Sequence, residues 1–159
     1  VAIEGDTIVI GAYGDYSRRG AVYVFRRSDG GTTYAQVAKL TAAADYDYFG
    51  YSVAIDGTTI VIGAYGDRPG DSYSSGYGRG STYLFRTTDG GATYGQVAKL
   101  RANDGAAGDE FGKAVAIDGG TVVVGAYGKD GSKNQNQTGL YKLRNFFLLN
   151  GMYKFKNTI

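Results

Sequence analysis

The chain has 159 residues, with 27 Gly, a single Pro, no Cys, no His and no Trp, and its 17 basic and 15 acidic side chains leave a net charge of +2. Without Cys or His there is no disulfide framework, thiolate nucleophile, zinc finger or Ser-His-Asp triad, and the Gly content lacks the period of three and the prolines of collagen. Charge this balanced gives no case for nucleic acid or an anionic membrane, and no apolar run approaches the roughly 20 residues of a membrane helix. The charge is nevertheless uneven: residues 115–159 carry six Lys/Arg against Asp118 and Asp130.

One segment recurs three times. VAIEGDTIVIGAYG at Val1 returns as VAIDGTTIVIGAYG at Val53 and as VAIDGGTVVVGAYG at Val115. The ten-residue difference between the two spacings falls in loops. The stretch from Asp15 to Gly20 is short where Asp67 to Gly80 is long, and Thr41 to Gly50 is shorter than Arg101 to Gly112. Constant strands with insertions confined to loops are what stacked structural units tolerate. Val1 falls inside a unit, so the chain reads as a processed product or part of a longer one, and no leader is visible ahead of it.

Each unit predicts four short strands. In the middle copy they run Ser52 to Asp56, Thr59 to Tyr65, Ser81 to Arg86 and Tyr94 to Leu100. The third and fourth strands of the first unit are Ala21 to Arg26 and Tyr34 to Leu40. Asp56-Gly57 and Asp89-Gly90-Gly91 supply the hairpin turns. Val, Ile, Thr, Tyr and Gly dominate with no 3.6-residue stripe, so helix is not expected. In the second strand Ile60, Ile62 and Ala64 face one way and Val61, Gly63 and Tyr65 the other. Both faces are apolar or small, which predicts a strand covered on both sides. The small Gly63-Ala64 pair and its counterparts Gly11-Ala12 and Gly125-Ala126 are expected where strands crowd a central axis. The fold class is therefore all-β, a β-propeller-type repeat of four-stranded antiparallel blades with about three blades present. The units are 1–48, 49–110 and a divergent 111–159.

Phe49-Gly50 and Phe111-Gly112 stand ahead of the repeated strand pair, and Gly63-Ala64-Tyr65 closes it. This pattern resembles the FG-GAP repeat of integrin α-subunit-like β-propellers, with Tyr in place of the usual Pro. The family's Asp-rich calcium loop between those two elements is missing, and Asn145 to Ile159 matches no earlier blade. Thr87 to Tyr94 resembles the Asp-box hairpin of sialidase-type propellers, with Arg27 to Tyr34 a looser copy. In such families that hairpin is a folding element, so it implies no sialidase activity.

Four carboxylates, Asp67, Asp71, Asp104 and Asp109, are candidate calcium ligands. No single loop supplies the six to eight oxygens calcium takes, and Asx-turn capping is the competing reading. Tyr16, Tyr73 and Tyr77 in the variable loops are the candidate binding surface, for stacking on sugar rings or anchoring a protein. Tyr46, Tyr48 and Tyr51 cluster around Phe49-Gly50, while Tyr13, Tyr65 and Tyr127 share one repeat position that reads as inter-blade packing. Asn136-Gln137-Thr138 is a glycosylation sequon. Asp6, Asp56 and Asp118, and Asp29 and Asp89, sit at repeated turns, which points away from catalysis.

The resemblance implies a non-catalytic extracellular or cell-surface module that contacts protein or glycan through its loops. The alternatives are a self-assembling structural subunit and a glycan-active enzyme, for which Asp71 and Glu110 are the carboxylates to test. Three units are too few to close a ring of four to eight blades. Further blades or self-association are therefore expected, with the segments around Phe146 and Met152 as candidate edge strands.

Overall fold

The computed structural model describes residues 1–27, 30–42, 46–68, 78–128 and, for the backbone alone, 139–143. The first sheet contains β1 (Ala2–Glu4), β2 (Thr7–Ala12), β3 (Ala21–Arg26) and β4 (Ala35–Thr41). The second contains β5 (Ser52–Asp56), β6 (Thr59–Ala64), β7 (Ser81–Arg86) and β8 (Gly95–Leu100). The third contains β9 (Phe111–Asp118), β10 (Thr121–Ala126) and β11 (Gly139–Leu143). All pairings within these sheets are antiparallel between consecutive strands, in the orders β1-β2-β3-β4, β5-β6-β7-β8 and β9-β10-β11. The predicted strands match to within a residue at each end. The fourth strands start at Ala35 and Gly95 rather than at the preceding tyrosines, and the second strands stop at Ala, before Tyr13 and Tyr65.

Among the described residues, the exception to an all-strand reading is a four-residue helical turn at Asp15–Arg18, in which Tyr16 and Ser17 have positive φ. It is a tight connection closed by the Gly20 amide on the Asp15 carbonyl. The segments around Phe146 and Met152 lie outside the described residues.

Two apolar layers separate the three sheets. Between the first and second lie Val9, Val22, Val24 and Leu40 on one side and Ile60, Ile62, Ala64, Tyr83 and Phe85 on the other, with Phe49 among them. Between the second and third lie Val61, Leu84 and Leu100 against Phe111, Val122, Val124 and Ala126. The middle sheet is thus sandwiched, and every residue of β6 is buried. The same strand in the outer sheets alternates instead. In β2 Val9 is buried and Ile10 exposed, and in β10 Val122 and Val124 are buried while Val123 is only partly covered. One sequence pattern therefore gives two burial patterns, decided by whether a neighbour covers the second face.

The joint between sheets is made by the Phe-Gly pair. Phe49 leaves its own unit to form a parallel bridge with Gly20 at the start of β3, and Phe111 does the same with Gly80 at the start of β7. Their amides bond to the carbonyls of Arg19 and Arg79, each at 3.0 Å. Both rings are buried, and Phe49 meets Tyr83 and Phe85 edge-on at 5.2 and 6.1 Å. Burying a phenylalanine contributes about 1.5–3 kcal/mol, so each wedge is a sizeable part of its seam. The following Gly50 has φ +85° and Gly112 has φ +91°, a region open mainly to glycine. Each sets its backbone against the glycine of the preceding sheet's second strand: a Cβ on Gly11 would overlap the Gly50 carbonyl, and one on Gly63 the Gly112 carbonyl. The small pair is therefore explained by the seam between neighbouring units rather than by crowding at an axis.

Two local features carry consequences. The turn after β7 is self-contained. The Thr87 hydroxyl donates to Asp89 Oδ1 at 2.7 Å and accepts from the Gly91 amide at 2.8 Å. Asp89 also accepts from the Thr93 amide at 2.9 Å and the Thr93 hydroxyl at 2.6 Å. This is the Asp-box-like hairpin. Its looser copy is described only in part, since Ser28 and Asp29 lie outside the described residues, and there Arg27 instead pairs with Asp6. Separately, the hydroxyls of Ser81 and Thr82 are buried at the second seam without a hydrogen-bond partner, where the first sheet has Ala21 and Val22.

The bonds from Thr93 and Thr87 hold the Asp89 carboxyl well below the usual carboxylate range. A depressed folded-state pKa means that this stabilisation is present above the unfolded value near pH 4 and lost as pH falls below it. Thermal melts should show Asp89→Ala below wild type at neutral pH, with the gap narrowing on acidification. Thr82→Val keeps the shape and removes an unsatisfied group, so urea unfolding should show a gain of about 1 kcal/mol.

Candidate binding surface

The repeat places aromatic side chains at one end of the sheets. β5 begins where β6 ends, with Ser52 opposite Gly63. Residues just before the first strand of a unit, such as Tyr48 and Tyr51, therefore meet residues just after the second, such as Tyr65. The seam brings in the unit before, through Tyr13. The rings make a continuous row from Tyr13 to Tyr65 through Tyr51 and Tyr48: Tyr13 lies 5.2 Å from Tyr51 and 6.5 Å from Tyr48, and Tyr65 lies 4.6 Å from Tyr51 and 4.8 Å from Tyr48, the last pair stacked. Lys113 of the third unit extends the row, its ammonium 5.4 Å from the Tyr65 ring and 4.3 Å from that of Tyr127. Arg18 donates to the Tyr48 hydroxyl at 3.1 Å.

Neighbouring rings hold these side chains in place, yet the row stays accessible. Tyr13 is 48% exposed, Tyr51 40% and Tyr127 67%. Tyr65 is the half-buried centre, and burial together with the adjacent tyrosines raises its hydroxyl pKa. At the repeated tyrosine position, Tyr13 and Tyr65 thus pack against Tyr48 and Tyr51 and also form a surface, while Tyr127 stays largely exposed. Sequence reading assigned binding to the variable-loop tyrosines instead. Of those, Tyr16 is exposed and separate from the row, with Arg19 over its ring at 5.1 Å. Tyr73 and Tyr77 lie outside the described residues, as does Asn136. The signal for the row was the coincidence of Tyr after Gly-Ala with Tyr on both sides of Phe-Gly, which becomes a cluster only once the strand pair is folded.

Of the four candidate calcium ligands, Asp67, Asp104 and Asp109 are among the described residues. Among the described residues no three acidic side chains form a group suited to a metal. Asp67 is buried at the end of β6 and its carboxylate is matched by Lys99 at 3.1 Å and Arg101 at 2.9 Å. Asp15, its counterpart in the first unit, holds Lys39 and Tyr23 in the same way, and these bonds, with Lys39 foremost, lower its pKa. Asp109 is buried in a turn and accepts the Ala106 amide at 2.8 Å. Asp104 is on the exposed loop before it. Two cations on Asp67 and a turn amide on Asp109 leave these carboxylates poorly suited to a shared calcium, which needs several free oxygens. Asp71 lies outside the described residues. Glu110, the other carboxylate weighed for catalysis, pairs with Lys113 beside the tyrosine row.

A search of curated proteins returned no match. The FG-GAP repeat family matches residues 1–25, 34–85 and 94–141. These spans include both Phe-Gly wedges and all three Gly-Ala strands that build the seams, and the chain belongs to the FG-GAP repeat family.

Proposed function

We propose that this protein is a non-catalytic binding module of the extracellular or cell-surface kind, contacting a protein or glycan ligand through its tyrosine row. FG-GAP repeats are typically binding modules, which supports the general reading. The observation that carries the specific one is the placement of Tyr13, Tyr51, Tyr65 and Tyr127, from three units, in one accessible strip fixed from below by the seams. Rigid amphipathic rings offer a large contact area at little entropic cost, and their hydroxyls add hydrogen bonds at the rim. The carboxylates nearby are tied to cations or to turn amides, which favours recognition over bond cleavage.

Immobilised glycan and cell-surface protein arrays probed with the labelled chain provide the test. Tyr51→Ala should reduce binding to any partner found by at least tenfold while leaving the melting temperature within a few degrees, because Tyr51 lies outside both apolar layers. Binding that survives Tyr51→Ala and Tyr13→Ala together contradicts the assignment.

A further inference from the structure

The turn around each Phe-Gly pair is built alike at both seams. The Tyr51 amide bonds to the Tyr48 carbonyl and the Lys113 amide to the Glu110 carbonyl, each at 3.1 Å. The residues ahead of and after Phe-Gly are thereby drawn together, Tyr48 with Tyr51 at the first seam and Glu110 with Lys113 at the second. Tyr48 has φ +53° and Glu110 φ +55°, a left-handed backbone that is costly for a side chain and cheap for glycine. Both seams nevertheless keep a side chain there, beside the repeated tyrosines. Tyr51 lies between Tyr13 and Tyr65, and Lys113 lies between Tyr65 and Tyr127. The second seam thus repeats the first with an ion pair, Glu110 and Lys113, in place of two rings.

The ionic groups that this end offers to a ligand are mainly cations. Glu110 is the more covered half of its pair, and it accepts from one of the three donors of the ammonium. At the first seam the exposed Arg18 lies beside the Tyr48 ring, 5.9 Å from its centroid. Of the carboxylates at the same end, Asp47 and Asp109 are buried, and Asp15 and Asp67 hold Lys39, Lys99 and Arg101. Asp104, on the loop ahead of β9, is the exposed exception. A flanking unit does not close this end, since Tyr51, with a unit on either side, remains 40% exposed.

We propose that the ligand of the tyrosine row is an acidic polysaccharide, its sulfate or carboxylate groups taken by Lys113 and Arg18 while its sugar rings lie on the tyrosines. This rests on the reading of the row as a binding surface and adds the chemical class of the ligand. A sugar ring offers C–H faces and hydroxyls to tyrosine, and its oxyanions form charge-assisted bonds with an ammonium or a guanidinium. A protein partner would instead set an anchoring side chain in a desolvated pocket. Here the rings fill the space between one another, Tyr65 meeting Tyr51 at 4.6 Å and Tyr48 at 4.8 Å, and they present a strip.

Biolayer interferometry of the 159-residue chain against dextran sulfate, polygalacturonate, uncharged dextran and poly-L-glutamate tests this, the first two separating sulfate from carboxylate. At least one acidic polysaccharide should bind about tenfold tighter than both dextran and poly-L-glutamate. Lys113→Gln, Arg18→Gln and Tyr51→Ala should each weaken that binding about fivefold, with circular dichroism reporting an unchanged strand signal. Arg27→Gln removes the same charge beside Asp6 at the opposite end and should leave binding within about twofold. Glu110→Gln breaks the same ion pair as Lys113→Gln but frees the ammonium, so it should bind more tightly than the wild type. Absence of acidic-polysaccharide binding, equal binding of poly-L-glutamate, an Arg27→Gln loss as large as that of Lys113→Gln, or weaker binding by Glu110→Gln overturns the proposal. Binding of dextran or of a protein that depends on Tyr51 but ignores Lys113→Gln overturns it while leaving the row as the binding surface. Acidic-polysaccharide binding that ignores both Tyr51→Ala and Tyr13→Ala overturns the two together.

Discussion

The contact between two glycine backbones at each seam is the constraint on which the architecture depends. Gly11 faces Gly50, and Gly63 faces Gly112, where the Ser52 hydroxyl also donates to the Gly112 carbonyl at 2.8 Å. Only at that separation does the Phe-Gly segment reach the start of the preceding unit's third strand, and only then does the phenylalanine enter the layer between the sheets. A four-stranded sheet of this size buries too little on its own to offset its conformational entropy. The seams make up the difference by covering one face of each outer sheet and both faces of the middle one. The Asp-Lys pairs at Asp15 and Asp67 and the Thr87–Thr93 turn trim this frame locally without replacing it.

Most of this organisation can be read from the sequence because it is periodic. The continuous run of β-branched and small residues in Thr-Ile-Val-Ile-Gly-Ala, next to an Asp-Gly turn, sets the strands and their pairing, and the repeat of Phe-Gly and Gly-Ala sets the family. The direction in which Phe49 pairs is less legible. Its sequence neighbours are the second unit, yet its backbone partner is Gly20 of the first, since the crossing depends on a positive φ at Gly50 that local composition only permits. The uneven burial of Ile10 and Ile62 is invisible in the repeat itself, where the two residues are identical. It follows from how many neighbours each sheet has.

The candidate surface is harder to read from sequence for the same reason. A repeated residue is naturally assigned to packing, and Tyr13 and Tyr65 do pack against Tyr48 and Tyr51, whereas Tyr127 is largely exposed under the Lys113 ammonium. They also lie at the end of the strand pair, where packing between rings leaves their outer edges accessible. The packing role and the proposed binding role fall on one row, so recurrence does not separate them. Asp67 shows the reverse. Its loop setting suggested a metal ligand, but Lys99 and Arg101, more than 30 residues away in sequence, already satisfy it. A loop carboxylate does not reveal its partner in sequence when that partner comes from another strand.

The central claim is tested most directly by adding one methyl group at a seam. Gly63→Ala places a Cβ against the Gly112 carbonyl, while Gly125→Ala adds the same methyl at the same repeat position where, among the described residues, no Phe-Gly opposes it. Urea unfolding of the two variants should show a loss of about 3 kcal/mol for Gly63→Ala and a change within about 0.5 kcal/mol for Gly125→Ala. Equal midpoints for the two variants would contradict the account.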